Sequence, residues 1–303
     1  MRGAEVGVRR GLLATIAVVV AGLVAATGCA TSNSPASRST VTVYASPSSS
    51  TGASTSSVAP SGIGANPALA AGFRRVATGT GLRVGVAVAP VGRTAHATMV
   101  FGDQTPQVAW SSIKVPLAVA AERENGRSTA ESNAIINSDN SAAEQLWASL
   151  GSNTEASAKV TAVLREGGNP NTVVPTQQLR SGFTIFGQTV WTLPDAATFA
   201  GHLPCMPGTA HVLALMGQVA GNQQWGAEIM SAPKTTAVKG GWGPGVDGAY
   251  LVRQLGVITY RDGQQSAVAM SAVGGSMSAG TAALNAIANW LNQNIAALPR
   301  GRC

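Results

Sequence analysis

The stretch Ser111-Ser112-Ile113-Lys114 carries a hydroxyl and an amine three residues apart. A serine hydroxyl is a poor nucleophile at neutral pH and needs a nearby base that takes its proton. Positions i and i+3 share one face of a helix, so the spacing predicts that Lys114 reaches the Ser111 hydroxyl. The alternative interpretation is a serine that caps a helix beside a solvated lysine.

Two further short motifs follow in the chain. Ser138-Asp139-Asn140 lies between two segments of helical periodicity, and Lys239-Gly240-Gly241 lies in a later apolar stretch. The ordered set resembles the penicillin-recognising serine enzymes, which comprise class A β-lactamases and DD-peptidases. The resemblance covers residues 66 to about 298. It implies a serine acyl-transfer site.

The resemblance also implies roles for individual residues. Ser111 would be the acylated nucleophile and Lys114 its base. Ser138 would relay a proton, and Lys239 would supply positive charge near both serines. Substrate-binding roles fall on four further residues: Asn140, Gly240, Gly241 and Arg253.

Arg253 and the oxyanion hole need further comment. Arg253 resembles an arginine that binds the substrate carboxylate, and the alternative is a surface arginine on a strand. The oxyanion hole is expected to use the backbone N–H of Ser111 and a second N–H near Trp242 or Gly243. The stretch 242–248 is interpreted as an insertion that reshapes the rim of the site.

Three departures from the family pattern bear on activity. Gly240 stands where the family has a hydroxyl residue, which removes one hydrogen bond to a substrate carboxylate. The region Gly167 to Pro194 contains no Asp or Glu, whereas class A enzymes carry a water-activating glutamate there. The interval from Ser111 to Ser138 is roughly half as long as in class A enzymes. We therefore expect slow hydrolysis of the acyl-enzyme.

Hydrophobic periodicity predicts strands near both ends of the domain and helices between them. The predicted strands are residues 82–89, 97–101, 236–239, 250–260 and 266–272, and the predicted helices are residues 67–77, 111–124, 130–137, 141–150, 156–166, 194–202, 211–219 and 277–295. This order predicts an α/β (α+β) fold with an antiparallel five-stranded sheet, flanking terminal helices and an all-helical lobe. The α/β lobe would comprise residues 66–110 and 230–303, and the helical lobe residues 111–229.

The N-terminal region has the pattern of an exported lipoprotein. Arginines precede an apolar run that ends at Gly28-Cys29, so residues 1–28 are predicted to be a signal peptide and Cys29 the lipidated residue. An ordinary secretory signal is the alternative. Residues 29–65 are rich in Ser, Thr and Pro and are predicted to form a disordered tether. The domain of residues 66–303 would then lie on the extracytoplasmic face of the cell membrane.

The charge, the histidines and the cysteines bear on nucleic-acid binding, on metal sites and on disulfide formation. The net charge of +7 comes from scattered residues without a basic run, which argues against nucleic-acid binding. The three histidines show no metal-ligand spacing, and no metal or cofactor is expected. With Cys29 lipidated, Cys205 and Cys303 remain as a disulfide or as two independent thiols.

The leading hypothesis is a monomeric, membrane-anchored serine hydrolase that forms a slowly hydrolysed acyl-enzyme from either D-alanyl cell-wall peptides or β-lactams. A weak β-lactamase is the second possibility. A third is a catalytically inactive envelope protein that binds such ligands through the same motifs.

Overall fold

The computed structural model describes residues 66–97, 99–245 and 248–303. The predictions for the signal peptide, for lipidation at Cys29 and for the tether lie outside these residues. The described strands are, in chain order, β1 (Arg83–Pro90), β2 (Met99–Gly102), β3 (Gln107–Val108), β4 (Val190–Trp191), β5 (Thr235–Pro244), β6 (Tyr250–Thr259) and β7 (Gln265–Gly274).

Five of these strands form one antiparallel sheet in the order β2-β1-β7-β6-β5. The predicted sheet is thereby confirmed, and β5 lies at its edge with only β6 as a neighbour. A separate two-stranded sheet pairs β3 with β4. That sheet was not predicted, because strands of two residues are too short to show periodicity.

The described α-helices are α1 (Pro67–Thr80), α2 (Lys114–Asn125), α3 (Thr129–Ile136), α4 (Asn140–Ser149), α5 (Asn153–Glu166), α6 (Leu193–His202), α7 (Ala210–Met216) and α8 (Met277–Gln293). Asn66 caps α1 and Ser276 caps α8, each accepting a backbone N–H with its side chain. Among the described residues, none of these helices has the length and apolar character needed to cross a membrane.

Alternation along the strands gives the sheet two buried faces. Val86 and Val88 of β1 pack with α1 and α8, where Phe73 and Trp290 make an edge-on ring contact. Ala87 lies on the opposite face and packs with the helical lobe. The sheet is therefore covered on both faces.

Helix α2 runs through the centre of the helical lobe and packs against α3, α4 and α5. Its residues from Lys114 to Ala121 are all buried. Burial on every side holds the first turn of α2, which carries Lys114, in a fixed position.

Two boundaries beside Ser111 and Lys239 differ from the sequence prediction. Ser111 does not open an α-helix, because it lies in a 3-10 turn (Trp110–Ile113) and α2 begins at Lys114. Strand β5 continues to Pro244, so Trp242 and Gly243 belong to the strand and not to a loop insertion.

Cys205 and Cys303 are joined by a disulfide.

Candidate active site

Ser111 lies at the junction between the sheet and the helical lobe. The preceding residue, Trp110, has φ of +46°, a left-handed conformation that is unfavourable for a bulky side chain. Such strain persists only where surrounding packing enforces it, and it occurs often at functional sites. Ser111 is partly exposed, whereas its neighbour Ser112 is buried and donates its hydroxyl to Ala109 O at 2.6 Å. Ser111 therefore presents the accessible hydroxyl of the pair.

Lys114 is a completely buried amine. Its Nζ donates to Ser138 O at 2.6 Å and to Asn140 Oδ1 at 2.7 Å. Burial lowers the pKa of Lys114 to about 7, and the negative charges of Asp139 and Glu144 oppose this shift. A substantial share of the amine is therefore neutral at neutral pH and able to take a proton.

Ser138 occupies the turn between α3 and α4 in a left-handed conformation, with φ of +57°. The next residue, Asp139, caps α4 by accepting the N–H of Ala142 at 2.8 Å. Asp139 thus fixes the turn, and the turn presents the Ser138 hydroxyl and the Asn140 amide to the site.

Lys239 is the second completely buried amine. Its Nζ donates to Ser138 Oγ at 2.8 Å, to Gln223 Oε1 at 2.6 Å and to Gly240 O at 2.9 Å. Burial and, secondarily, the charge of Lys114 lower the pKa of Lys239 well below its usual value. The two amines therefore meet at Ser138, one at its carbonyl oxygen and one at its hydroxyl.

Gln223 is a site residue that the sequence did not indicate. Its Nε2 donates to the carbonyl oxygens of Ile135 and Ile136, at 3.0 and 2.9 Å. Its Oε1 accepts from Lys239 and also from the N–H of Gly240, at 3.1 Å. Gln223 thus ties β5 to the end of α3. It comes from a short 3-10 turn with no periodic pattern, so no local signal could have identified it.

The outer edge of β5 supplies the candidate for the second N–H donor of an oxyanion hole. The N–H and C=O of Gly240 both point to this edge, since they contact Gln223 and Lys239. Backbone direction repeats every two residues along an antiparallel edge, so the Trp242 N–H points the same way. A Cβ on Gly241 would lie 3.0 Å from Ser111 N, which shows how closely β5 approaches the nucleophile turn. Trp242, and not Gly243, is the candidate.

Gly240 is required by the packing around it. A Cβ at this position would lie 2.7 Å from the Trp225 indole, which fills the space on that face of β5. The family's hydroxyl side chain would not fit here without displacement of Trp225. The Trp225 indole therefore occupies the space in which the family's hydroxyl side chain would bind a substrate carboxylate.

Arg253 is buried and engaged with the backbone, and this position does not support its predicted role in binding a substrate carboxylate. It pairs with Gly241 across β5 and β6, so its side chain lies on the same face of the sheet as Lys239 and on the opposite face from Gly240. The side chain is 2% exposed. Its guanidinium donates at 3.0 to 3.2 Å to three backbone carbonyl oxygens, those of Gln107, Val108 and Trp191. Arg253 therefore supports the small β3–β4 sheet.

An open cavity of about 520 Å³ lies beside Ser111. Its walls combine residues of the nucleophile turn, α4, the 167–194 region and β5, and they include Trp110, Ser111, Asn140, Glu144, Gln178, Gly182, Phe183, Thr184, Trp242, Gly243, Pro244 and Tyr250. Trp110 Nε1 is buried and has no hydrogen-bond partner among the described residues. Arg180 lies beside this wall, with its guanidinium 4.6 Å from the Phe183 ring centre.

The described residues thus bring Lys114, Ser138, Asn140 and Lys239 into one hydrogen-bonded group, and Ser111 shares the cavity with Asn140. The arrangement suits acyl transfer to a hydroxyl. Within residues 66–97, 99–245 and 248–303 there is no group of three or more His, Cys, Asp or Glu side chains arranged to hold a metal ion.

No protein-family model and no curated protein matches the sequence. Solved structures do match. A β-lactamase of Sphaerobacter thermophilus is similar with a TM-score of 0.57 and 17% identity, covering 78% of this chain and 99% of that one. A β-lactamase of Xanthomonas campestris gives 0.56 and 18%, covering 75% and 97%. A reconstructed ancestral class A β-lactamase gives 0.55 and 18%, covering 75% and 99%.

These similarities show that the chain has the fold of class A β-lactamases, as the three motifs predicted. At 17–18% identity this similarity shows the fold alone.

Proposed function

We propose that the protein is a serine hydrolase of the β-lactamase and DD-peptidase type that forms an acyl-enzyme at Ser111. The observation that carries this proposal is the convergence of two buried amines, Lys114 and Lys239, on Ser138 beside the cavity of Ser111. Burying two charged amines costs free energy, which hydrogen-bond partners and lowered pKa values reduce. Buried groups with such perturbed pKa values occur most often at functional sites.

In the proposed reaction, neutral Lys114 takes the proton of Ser111 as Oγ attacks the substrate carbonyl. The N–H groups of Ser111 and Trp242 stabilise the resulting oxyanion. The Ser138 hydroxyl, held by Lys239, donates a proton to the leaving nitrogen and regains one from Lys114. The product is an ester on Ser111.

The proposed substrates are D-alanyl peptides or β-lactams, and we expect slow turnover of both. Slow turnover is supported by the region Gly167 to Pro194, which lacks a carboxylate. Weak affinity is expected as well. Neither family contact to a substrate carboxylate is available, since Gly240 has no hydroxyl and the Arg253 guanidinium donates to backbone carbonyl oxygens. A lost hydrogen bond to a charged group costs about 1.5–3 kcal/mol.

We further propose that the protein acts on the extracytoplasmic face of the membrane as a lipoprotein anchored at Cys29. The support is the arginine-led apolar segment before Cys29. A disulfide between Cys205 and Cys303 is consistent with an oxidising compartment.

A second candidate is an inactive envelope binding protein with the same fold. The Trp225 indole favours it, because it fills the space that a hydroxyl side chain at position 240 would need to bind a substrate carboxylate. The two candidates differ in whether a covalent bond forms.

The test is adduct formation with benzylpenicillin, followed by intact-protein mass spectrometry. The wild type is expected to gain the mass of the whole antibiotic and to retain it for hours. Ser111→Ala should gain nothing, and the matched control Ser112→Ala should still be labelled, since that hydroxyl is buried against Ala109. No adduct on the wild type would favour the binding protein, and an adduct on Ser111→Ala would exclude Ser111 as nucleophile.

A further inference from the structure

A carboxylate lines the cavity from a helix and not from the 167–194 region. We propose that Glu144 is the general base that activates water for hydrolysis of the Ser111 acyl-enzyme. This inference rests on the proposed acyl-transfer function and deepens it by naming the residue through which the slow hydrolysis proceeds.

The position of Glu144 follows from α4. Asn140 is the first residue of α4, and Glu144 lies four residues later, so both side chains share one face of the helix. Both line the cavity together with Ser111. The structure therefore places a carboxylate, a candidate substrate-binding amide and the candidate nucleophile around one space.

The charge of Glu144 acts on the catalytic amine. Asn140 Oδ1 accepts a hydrogen bond from Lys114, and the negative charge of Glu144 is one of the two that raise the pKa of this lysine against the effect of burial. The Glu144 carboxylate is thus close enough to Lys114, the proposed base for Ser111, to affect its pKa.

Among the described cavity-lining residues, Glu144 is the only acidic one. Asp139 is engaged as the cap of α4. Gln178, from the region that carries the glutamate in class A enzymes, donates its amide to Phe183 O, and an amide is a poor general base. The described cavity therefore offers a single carboxylate for this task.

Glu144 is exposed, so water reaches its carboxylate directly. In the proposed step, water attacks the ester carbonyl carbon while one of its protons passes to Glu144. The tetrahedral intermediate then breaks its bond to Ser111 Oγ, and the proton on Glu144 is transferred to that oxygen. The products are the free carboxylic acid and the original enzyme, with no other reactant consumed.

The test separates formation from decay of the benzylpenicillin adduct, measured by intact mass on the same protein. For Glu144→Gln we expect formation within about threefold of wild type and decay at least about tenfold slower, since a general base contributes about 10²–10⁴ in rate. The matched control is Glu124→Gln, which removes one acidic charge from an exposed ion pair with Lys159 and should leave both rates unchanged.

Chemical rescue adds a readout that a structural role would not produce. Sodium formate should accelerate adduct decay in Glu144→Ala, and sodium chloride at equal ionic strength should not. Equal decay in wild type and Glu144→Gln would overturn the role of Glu144 and leave the acyl-transfer proposal intact. Absence of any adduct on the wild type would overturn both. A defect confined to adduct formation would also overturn the hydrolytic role.

Discussion

In the proposed mechanism, the protonation state of Lys114 controls acylation of Ser111. This lysine is completely buried, and its pKa of about 7 lies far below that of a solvated lysine. Burial disfavours the charged amine, so the shift has the direction expected for desolvation. The neutral amine needed as a base is then available without a separate histidine.

A pH dependence of acylation follows from this shift. As the pH falls below about 7, Lys114 becomes protonated and can no longer accept the Ser111 proton. The rate of benzylpenicillin adduct formation should therefore fall about tenfold per pH unit below 7 and level off above it. Initial rates between pH 5.5 and 8.5 check this. A rate that is independent of pH over this range would exclude Lys114 as the base.

At the residue scale, the sequence predicts the groups that lie within short motifs and misses those brought in from elsewhere. Glu144 could have been found, because it is one helical turn beyond Asn140. Arg253 lies on the same face of the sheet as Lys239, but its bonds to the carbonyl oxygens of β3 and β4 depend on segments far away in the chain. Gln223 carries no local signal, because its role depends on a tertiary contact with Lys239.

At the scale of elements, β5 is held between the nucleophile turn on one face and Trp225 on the other. Its glycines are explained by these two contacts. The motif Lys239-Gly240-Gly241 is thus a packing requirement as well as a part of the site. The strand boundary was underestimated from the sequence, because the glycines and Pro244 interrupt the apolar pattern.

Gly240→Thr tests this packing. The new side chain would overlap the Trp225 indole, so we expect a loss of about 1–3 kcal/mol in the free energy of unfolding. The same change in a Trp225→Leu background should cost less, because the obstruction is smaller, and the two changes should be non-additive. Urea unfolding of the four proteins measures this.

Gly275→Thr is the matched control, since a Cβ at Gly275 meets nothing within 4 Å. It should alter stability by no more than about 0.5 kcal/mol. Equal costs of Gly240→Thr and Gly275→Thr would show that Trp225 does not restrict this position.

At the scale of the whole molecule, the strand–helix–strand order was enough to predict the sheet and the helical lobe. The short β3–β4 sheet was not predictable. It depends on pairing between segments that are far apart in the chain and on the buried Arg253, which donates to the carbonyl oxygens of both strands.

The disulfide links residues separated by 98 positions. Cross-linking a loop of this length restricts the unfolded chain by an amount worth up to about 4.7 kcal/mol. The double variant Cys205→Ser/Cys303→Ser should lose about 2–4 kcal/mol in urea unfolding and keep its adduct formation, since neither cysteine lines the cavity. An unfolding midpoint equal to that of the oxidised wild type would contradict this.

Two of the six tryptophans, Trp110 and Trp242, line the cavity. Occupancy of that space changes the solvation of both indoles. Trp110 Nε1, which has no hydrogen-bond partner among the described residues, can donate to a ligand that enters. Intrinsic tryptophan fluorescence then becomes a label-free titration signal. It also reports noncovalent ligands that react too slowly to form a covalent adduct.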